Sequence, residues 1–277
     1  MSVHTASRTT APPPQTRPAD LGRQIGVISA VSFMLIAAVV GVGALGGRPV
    51  EDLQGGALDS DASYLAPASQ AFSIWSVIYV LMVAYAVWQA LPSQRADDRQ
   101  RLLGWWIAVT AVLNGLWLVA AQFTTLPLTV LVIVLLLAAL AWTFRLAVRR
   151  PPRGVRQALF TDITVGLHLG WVALATVANS AAWLTSIAPP SWADAADPVA
   201  IAVISVVALV GIGIALGGRG RLAPGLAMGW GLTWIGIGRW SDEPMSEPIA
   251  IGAWIAAAVV VLAPIVITAV RFARNRA

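Results

Sequence analysis

Long apolar runs separated by short polar stretches set the pattern of this chain. A membrane-crossing helix needs about 20 mostly apolar residues. Eight runs meet that length, at roughly 25–45, 71–91, 102–122, 127–147, 160–186, 198–217, 222–240 and 249–270. The pattern predicts an all-α membrane protein, a polytopic helical bundle of about eight transmembrane helices. The seventh run, LAPGLAMGWGLTWIGIGRW, is the weakest because glycine dilutes it, and Pro264 falls inside the eighth. Bundled membrane helices tolerate both residues. Ahead of the first run, residues 1–24 include APPPQTRP and read as a disordered, polar tail. A tail of that length does not suit a secretory signal peptide, so the first run reads as an uncleaved helix.

The polar connections alternate in charge. Arg8, Arg17 and Arg23 precede the first run, and Arg95, Arg99 and Arg101 follow the second. Arg145, at the end of the fourth run, is followed by Arg149, Arg150, Arg153 and Arg156; Arg219 and Arg221 follow the sixth run, and Arg271, Arg274 and Arg276 the eighth. With eight spans, 16 of the 18 arginines fall on one side and only Arg48 and Arg239 on the other. Most acids, among them Asp59, Asp61, Asp194, Asp197 and Glu247, lie opposite the arginines. Arginine bias sets orientation, which predicts cytoplasmic N- and C-termini in a bacterial cytoplasmic membrane. The basic excess therefore belongs to loops beside the lipid bilayer, and no nucleic-acid partner is expected.

Composition narrows the chemistry further. Of 277 residues, 58% are hydrophobic and 11% charged, whereas a soluble domain carries about 25% charged residues. The chain has no cysteine, which excludes disulfides, thiolate nucleophiles, iron–sulfur clusters and thiol-ligated zinc. His4 and His168 are its two histidines, so neither a histidine metal cluster nor a bis-histidine haem site is expected. Every basic residue is arginine, as codon bias in a GC-rich genome would give. Hydrolase, P-loop and zinc-protease signatures are absent. The adjacent acids in ADDRQ at 96–100 read as a solvated loop, and GGRGR at 217–221 as a helix end with anchoring arginines.

Polar groups inside hydrocarbon are costly, which makes Asn114, Gln122, His168, Thr176, Asn179 and Asp162 candidates for function. The aromatics divide by depth. Trp88, Trp105 and Trp106 fall at the arginine-rich interface and fit an aromatic belt. Phe72, Trp75 and Tyr79 share one helical face descending from the other surface. Asn114 and Trp117 share a face of the third span, and His168, Trp171, Ala175, Asn179 and Trp183 form a stripe along the fifth. Two readings stand: helix packing with interhelical amide bonds, or the wall of a ligand pocket. The spacings Gly43–Gly47, Ala111–Gly115, Gly166–Gly170 and Gly225–Gly229 suit close packing within the chain first and a homodimer second.

These stretches resemble a known family. FSIWSVIYVLMVAYAVWQ at 72–89, LNGLW at 113–117 and LGWVALATVANSAAWL at 169–184 are similar, in order and spacing, to second-, third- and fifth-helix motifs of the TspO/MBR family. This is the family of translocator proteins and tryptophan-rich sensory proteins. The resemblance divides the chain into a five-helix unit at 25–187 and a three-helix extension at 188–277, as in the family's longer eight-helix branch. The Trp-Tyr pair often found after the first helix is not evident here, and 127–147 lacks the acid that some members carry.

The resemblance implies a binding protein or sensor for porphyrin-like, sterol-like or other rigid apolar molecules, with no cofactor required. Its pocket would lie in the outer half of the bundle, under the loop 46–70. The ligand-binding residues implied are Phe72, Trp75, Tyr79, Asn114, Trp117, Trp171, Ala175, Asn179 and Trp183. Trp and Tyr faces would stack on a conjugated ring, and an amide would fix its orientation. A transporter of such molecules is the alternative. Light-dependent porphyrin degradation is the one enzyme reading entertained.

Overall fold

A computed structural model describes residues 15–276. Most of the expected disordered tail, residues 1–14, lies outside the described residues. Eight long helices follow one another: α1 (Pro18–Gly41), α2 (Ile74–Ala90), α3 (Asp98–Phe123), α4 (Leu126–Arg149), α5 (Thr164–Ile187), α6 (Ala196–Gly217), α7 (Leu222–Ser241) and α8 (Glu247–Arg274). Seven of them lie in segments long and apolar enough to cross a membrane. The exception is α7, whose glycines and Arg239 dilute its hydropathy. The all-α polytopic fold is as the apolar runs predict.

The start of α1 corrects the expected tail boundary. Residues 18–24 are helical, and Arg23 and Gln24 are buried. Asp20 accepts the Arg17 backbone N–H at 2.8 Å, and Pro18 at the first helical position needs no N–H partner. Arg101 of α3 then donates to both Asp20 carboxylate oxygens, at 2.8 and 2.7 Å. Polar composition alone hid this cap.

The first five helices close a ring in which α1 packs on α2 and α3, α4 joins α3 to α5, and α5 returns to α2. The other three attach on one flank: α7 packs on α5, α8 on α7, and α6 on α8. Glycine sets two of these contacts. A Cβ at Gly166 would stand 2.7 Å from Ala223 Cβ, and one at Gly170 would strike the Pro224 carbonyl. Gly225 and Gly229 meet Val260 and Val261 of α8 in the same way, and Gly115 meets Phe33 of α1 at 2.6 Å. Three of the four small-residue spacings therefore serve helix-to-helix contacts within the chain.

The arginine-rich end is a continuous polar network. Buried Arg23 donates to Gln89 Oε1 at 3.1 Å and to the carbonyls of Gln94 and Arg95 at 3.2 and 3.1 Å. A π-helical turn, Ala158–Ile163, leads into α5 and carries Asp162. That carboxylate takes both bonds of Arg99 Nη2 at 2.8 Å and an ion pair from Arg221 at 2.8 Å. Arg99 also reaches the Arg150 carbonyl and Arg221 the Ala147 carbonyl. One acid thus links α3, α5 and the start of α7. Burial lowers the Arg221 pKa from its ordinary value, while Asp162 opposes the shift.

Trp88 corrects the aromatic belt. It is buried against Phe160 at 5.6 Å and Tyr85 at 6.4 Å, so it packs inside the bundle. Trp105 and Trp106 remain exposed, as belt residues are.

The α5–α7 contact generates a stability prediction. Gly170→Ala is expected to cost about 1–3 kcal/mol, because backbone must move to admit the methyl. Gly213→Ala, in open space on α6, is expected to be neutral or stabilising by up to about 1 kcal/mol. Thermal unfolding in detergent measures both, and equal shifts in Tm would remove glycine from the account of this interface.

Candidate functional site

α2, α3, α4 and α5 enclose a cavity at the end of the ring opposite the arginine network. The segment between α1 and α2 roofs it with Val50, Leu58, Asp59, Ala66 and Pro67. The volume is about 50 Å³, space for a few waters. Its walls are mainly apolar and aromatic.

Seven of the nine residues singled out in the sequence line this cavity: Phe72, Trp75, Asn114, Trp117, Trp171, Ala175 and Asn179. Trp75 stands edge-on to Trp171 at 6.1 Å and to His168 at 5.9 Å, and Phe72 meets Trp171 edge-on at 5.9 Å. Tyr79 is one step back: its ring stacks on Trp75 at 5.2 Å, and its hydroxyl reaches Asn114 Oδ1 at 3.5 Å. Trp183 is not part of the lining. From Ala175 the stripe advances by steps of four residues, which rotate about 40° each around an α-helix, and by Trp183 it has left the face.

The two amides are placed differently. Asn179 is fully used: Trp117 Nε1 donates to its Oδ1 at 3.1 Å, and its Nδ2 donates to the Ala175 carbonyl at 2.8 Å. Asn114 is completely buried, its Oδ1 has only the long Tyr79 contact, and its Nδ2 has no partner among the described residues. Trp171 Nε1 and His168 Nε2 are likewise buried and unpartnered. Such groups cost roughly 1–3 kcal/mol each when left unsatisfied. Gln122 and Thr176, also candidates, bond elsewhere: Gln122 to the Arg48 backbone and Thr176 to the Val172 carbonyl.

Sequence reasoning missed Ile133 and Leu136 of α4, which form part of the wall. They sit three residues apart in a uniformly apolar helix, and no residue type distinguishes them from core. It also missed what holds the roof. Gln54, in the left-handed region at φ 54°, donates to the carbonyls of Ala121 and Thr124 at 3.1 and 2.6 Å. Buried Arg239 of α7 donates to the Ser60 and Ser63 carbonyls at 2.9 and 3.2 Å, and to the Pro244 carbonyl at 3.1 Å. Trp230 Nε1 holds the Ala71 carbonyl at 2.9 Å, and the Ala68 N–H donates to the Trp234 carbonyl at 3.2 Å. The one signal in the sequence was Arg239 itself, one of only two arginines opposite the arginine-rich end.

A family model described as TSPO-like protein matches residues 25–266. No curated protein matches, and no solved structure matches. The matched range takes in α6 and α7 and most of α8 as well as the ring.

Two predictions follow from these hydrogen bonds. Asn179→Leu is expected to destabilise by about 2 kcal/mol, since it strands Trp117 Nε1, whereas Asn114→Leu is expected to be near neutral or stabilising. Unfolding midpoints in detergent compare the two, and the reverse ranking would mean that Asn114 is the structural amide. Arg239→Met is expected to speed amide hydrogen exchange across 57–68 at least about tenfold, leaving the arginine-rich end unaffected. Uniform acceleration through the bundle would show that Arg239 supports the fold at large rather than the roof.

Proposed function

The chain belongs to the TSPO-like protein family, and from that premise we propose that it binds a rigid, largely apolar ligand of the porphyrin class beneath the α1–α2 segment. Family membership and seven apolar helices make it an integral membrane protein. The proposal adds the ligand class and the site. It also takes both termini as cytoplasmic, which the arginine bias supports.

The observation that carries the reading is the pair of buried, unpartnered N–H donors, Asn114 Nδ2 and Trp171 Nε1, on the wall of an otherwise apolar aromatic cavity. Packing alone does not favour such donors, because a buried polar group without a partner opposes folding. A ligand carbonyl or carboxylate would satisfy both. Trp75, backed by Tyr79, offers a ring face or edge to a conjugated system. The few polar groups among many apolar ones match the general make-up of small-molecule sites.

The cavity volume sets a condition. Ligand pockets span roughly 300–1,000 Å³, so about 50 Å³ does not admit a macrocycle until the roof lifts. The roof is the segment able to do so: it contains no long helix, and its ties include Gln54 donating to carbonyls at the end of α3 and Arg239 of α7 donating to the Ser60 and Ser63 carbonyls. The ligand enters as these bonds open.

Quenching of tryptophan fluorescence by protoporphyrin, measured in the dark with purified protein, tests the proposal. Trp75→Ala combined with Asn114→Ala is expected to weaken apparent affinity about tenfold or more, through lost stacking and a lost hydrogen bond. An unchanged affinity in the double variant would place the porphyrin elsewhere.

A further inference from the structure

A second cavity system lies outside the ring. α6 packs on α7 and α8, and its opposite side faces α4 and α5 across an open groove. The half nearer the arginine-rich end measures about 700 Å³ and runs between Phe144, Ala173, Val207 and Val210. The other half, about 530 Å³, runs between Leu184, Trp192 and Val199. Both halves are bounded by Thr176, Val177 and Val203, so they form one channel along the bundle. Thr176 spends its hydroxyl on the Val172 carbonyl, which leaves the middle of the groove apolar.

Charge appears at one end only. Arg145 and Arg149 stand one turn apart on α4, and Arg219 comes from the α6–α7 turn, where it adopts φ 57°. All three are exposed, and none has a side-chain hydrogen bond or ion pair among the described residues. The nearby carboxylate, Asp162, is already taken by Arg99 and Arg221. No acid lines either half of the groove among the described residues. Three uncompensated guanidiniums above an apolar slot complement one kind of molecule, an amphiphile with an anionic head and alkyl tails.

We propose that this groove is a binding site for an anionic phospholipid. Its phosphate lies among Arg145, Arg149 and Arg219, and its acyl chains fill the space between α6 and the ring. Guanidinium groups pair with phosphate oxygens through forked N–H donors, which suits arginine at this mouth. Basic pockets between transmembrane helices recognise anionic headgroups on the same principle. The lipid would fill the groove between α6 and α4 and α5, adding packing between the extension and the ring.

Native mass spectrometry of the detergent-purified protein, with phosphatidylglycerol or phosphatidylcholine added, tests this. The wild type is expected to retain one phosphatidylglycerol in preference to phosphatidylcholine on the order of tenfold or more. Arg145→Gln, Arg149→Gln and Arg219→Gln together are expected to abolish the preference, with the unfolding temperature used to verify that the variant is folded. Val210→Trp, which places an indole in the groove, is expected to lower retention of phosphatidylglycerol while all three arginines remain. Equal retention of the two lipids by the wild type, or a preference that survives the triple substitution, would overturn the assignment. So would undiminished retention in Val210→Trp. Displacement of the lipid by inorganic phosphate alone would instead mark a site for free anions and reject the lipid.

Discussion

α7 lies against α5 at a distance that only glycine permits, and the parts of the molecule above the cavity take their positions from that contact. Gly166 and Gly170 admit Ala223 and Pro224. Farther along, Gly231 admits the side chain of Leu174. With α7 held this close, Trp230, Trp234 and Arg239 reach the segment between α1 and α2 and fix its course. In a membrane the hydrophobic effect does not drive helices together, so close backbone approach and hydrogen bonds must do it. The weakest apolar run of the sequence is thus the helix with the most demanding contacts.

The two ends of the bundle use arginine in different ways. At the arginine-rich end, Asp162 and Asp20 each compensate guanidinium groups, and backbone carbonyls of the loops take further donors of Arg23 and Arg99. At the opposite end, Arg239 binds backbone carbonyls. Carbonyl dipoles attract the cation without a competing proton equilibrium of their own. Burying a charge remains expensive unless its donors are filled. Arg239 fills its two terminal nitrogens with carbonyls of its own following loop and of the distant 60–63 segment, which acquires an anchor in return.

Helix positions were legible because each crossing needs a long apolar run, and the arginine alternation placed the connections. The face of each helix was legible over short distances, where Trp75, Asn114, Trp117, Trp171 and Asn179 converge as spacing suggested. It failed over longer ones, as Trp183 shows. Depth was no guide to burial: Trp88 sits where a belt residue would, yet Phe160 and Tyr85 enclose it. The roof was illegible beyond its location. Its path depends on Gln54 and Arg239 finding carbonyls roughly 70 and 180 positions away, a distance over which no local pattern operates. The early start of α1 depended in the same way on Asp20 meeting Arg101.

The separation between roof anchors and cavity walls has a kinetic consequence. Gln54, Gln122 and Arg239 hold the segment over the cavity but do not line it. Bonds present in both the empty and the occupied closed forms cancel from the equilibrium between them. For a ligand that passes beneath this segment as proposed, they remain in the activation barrier to movement inward or outward. For a ligand bound as proposed, residence time can therefore drift through mutation of the roof anchors while affinity stays fixed, whereas a change in the walls alters both.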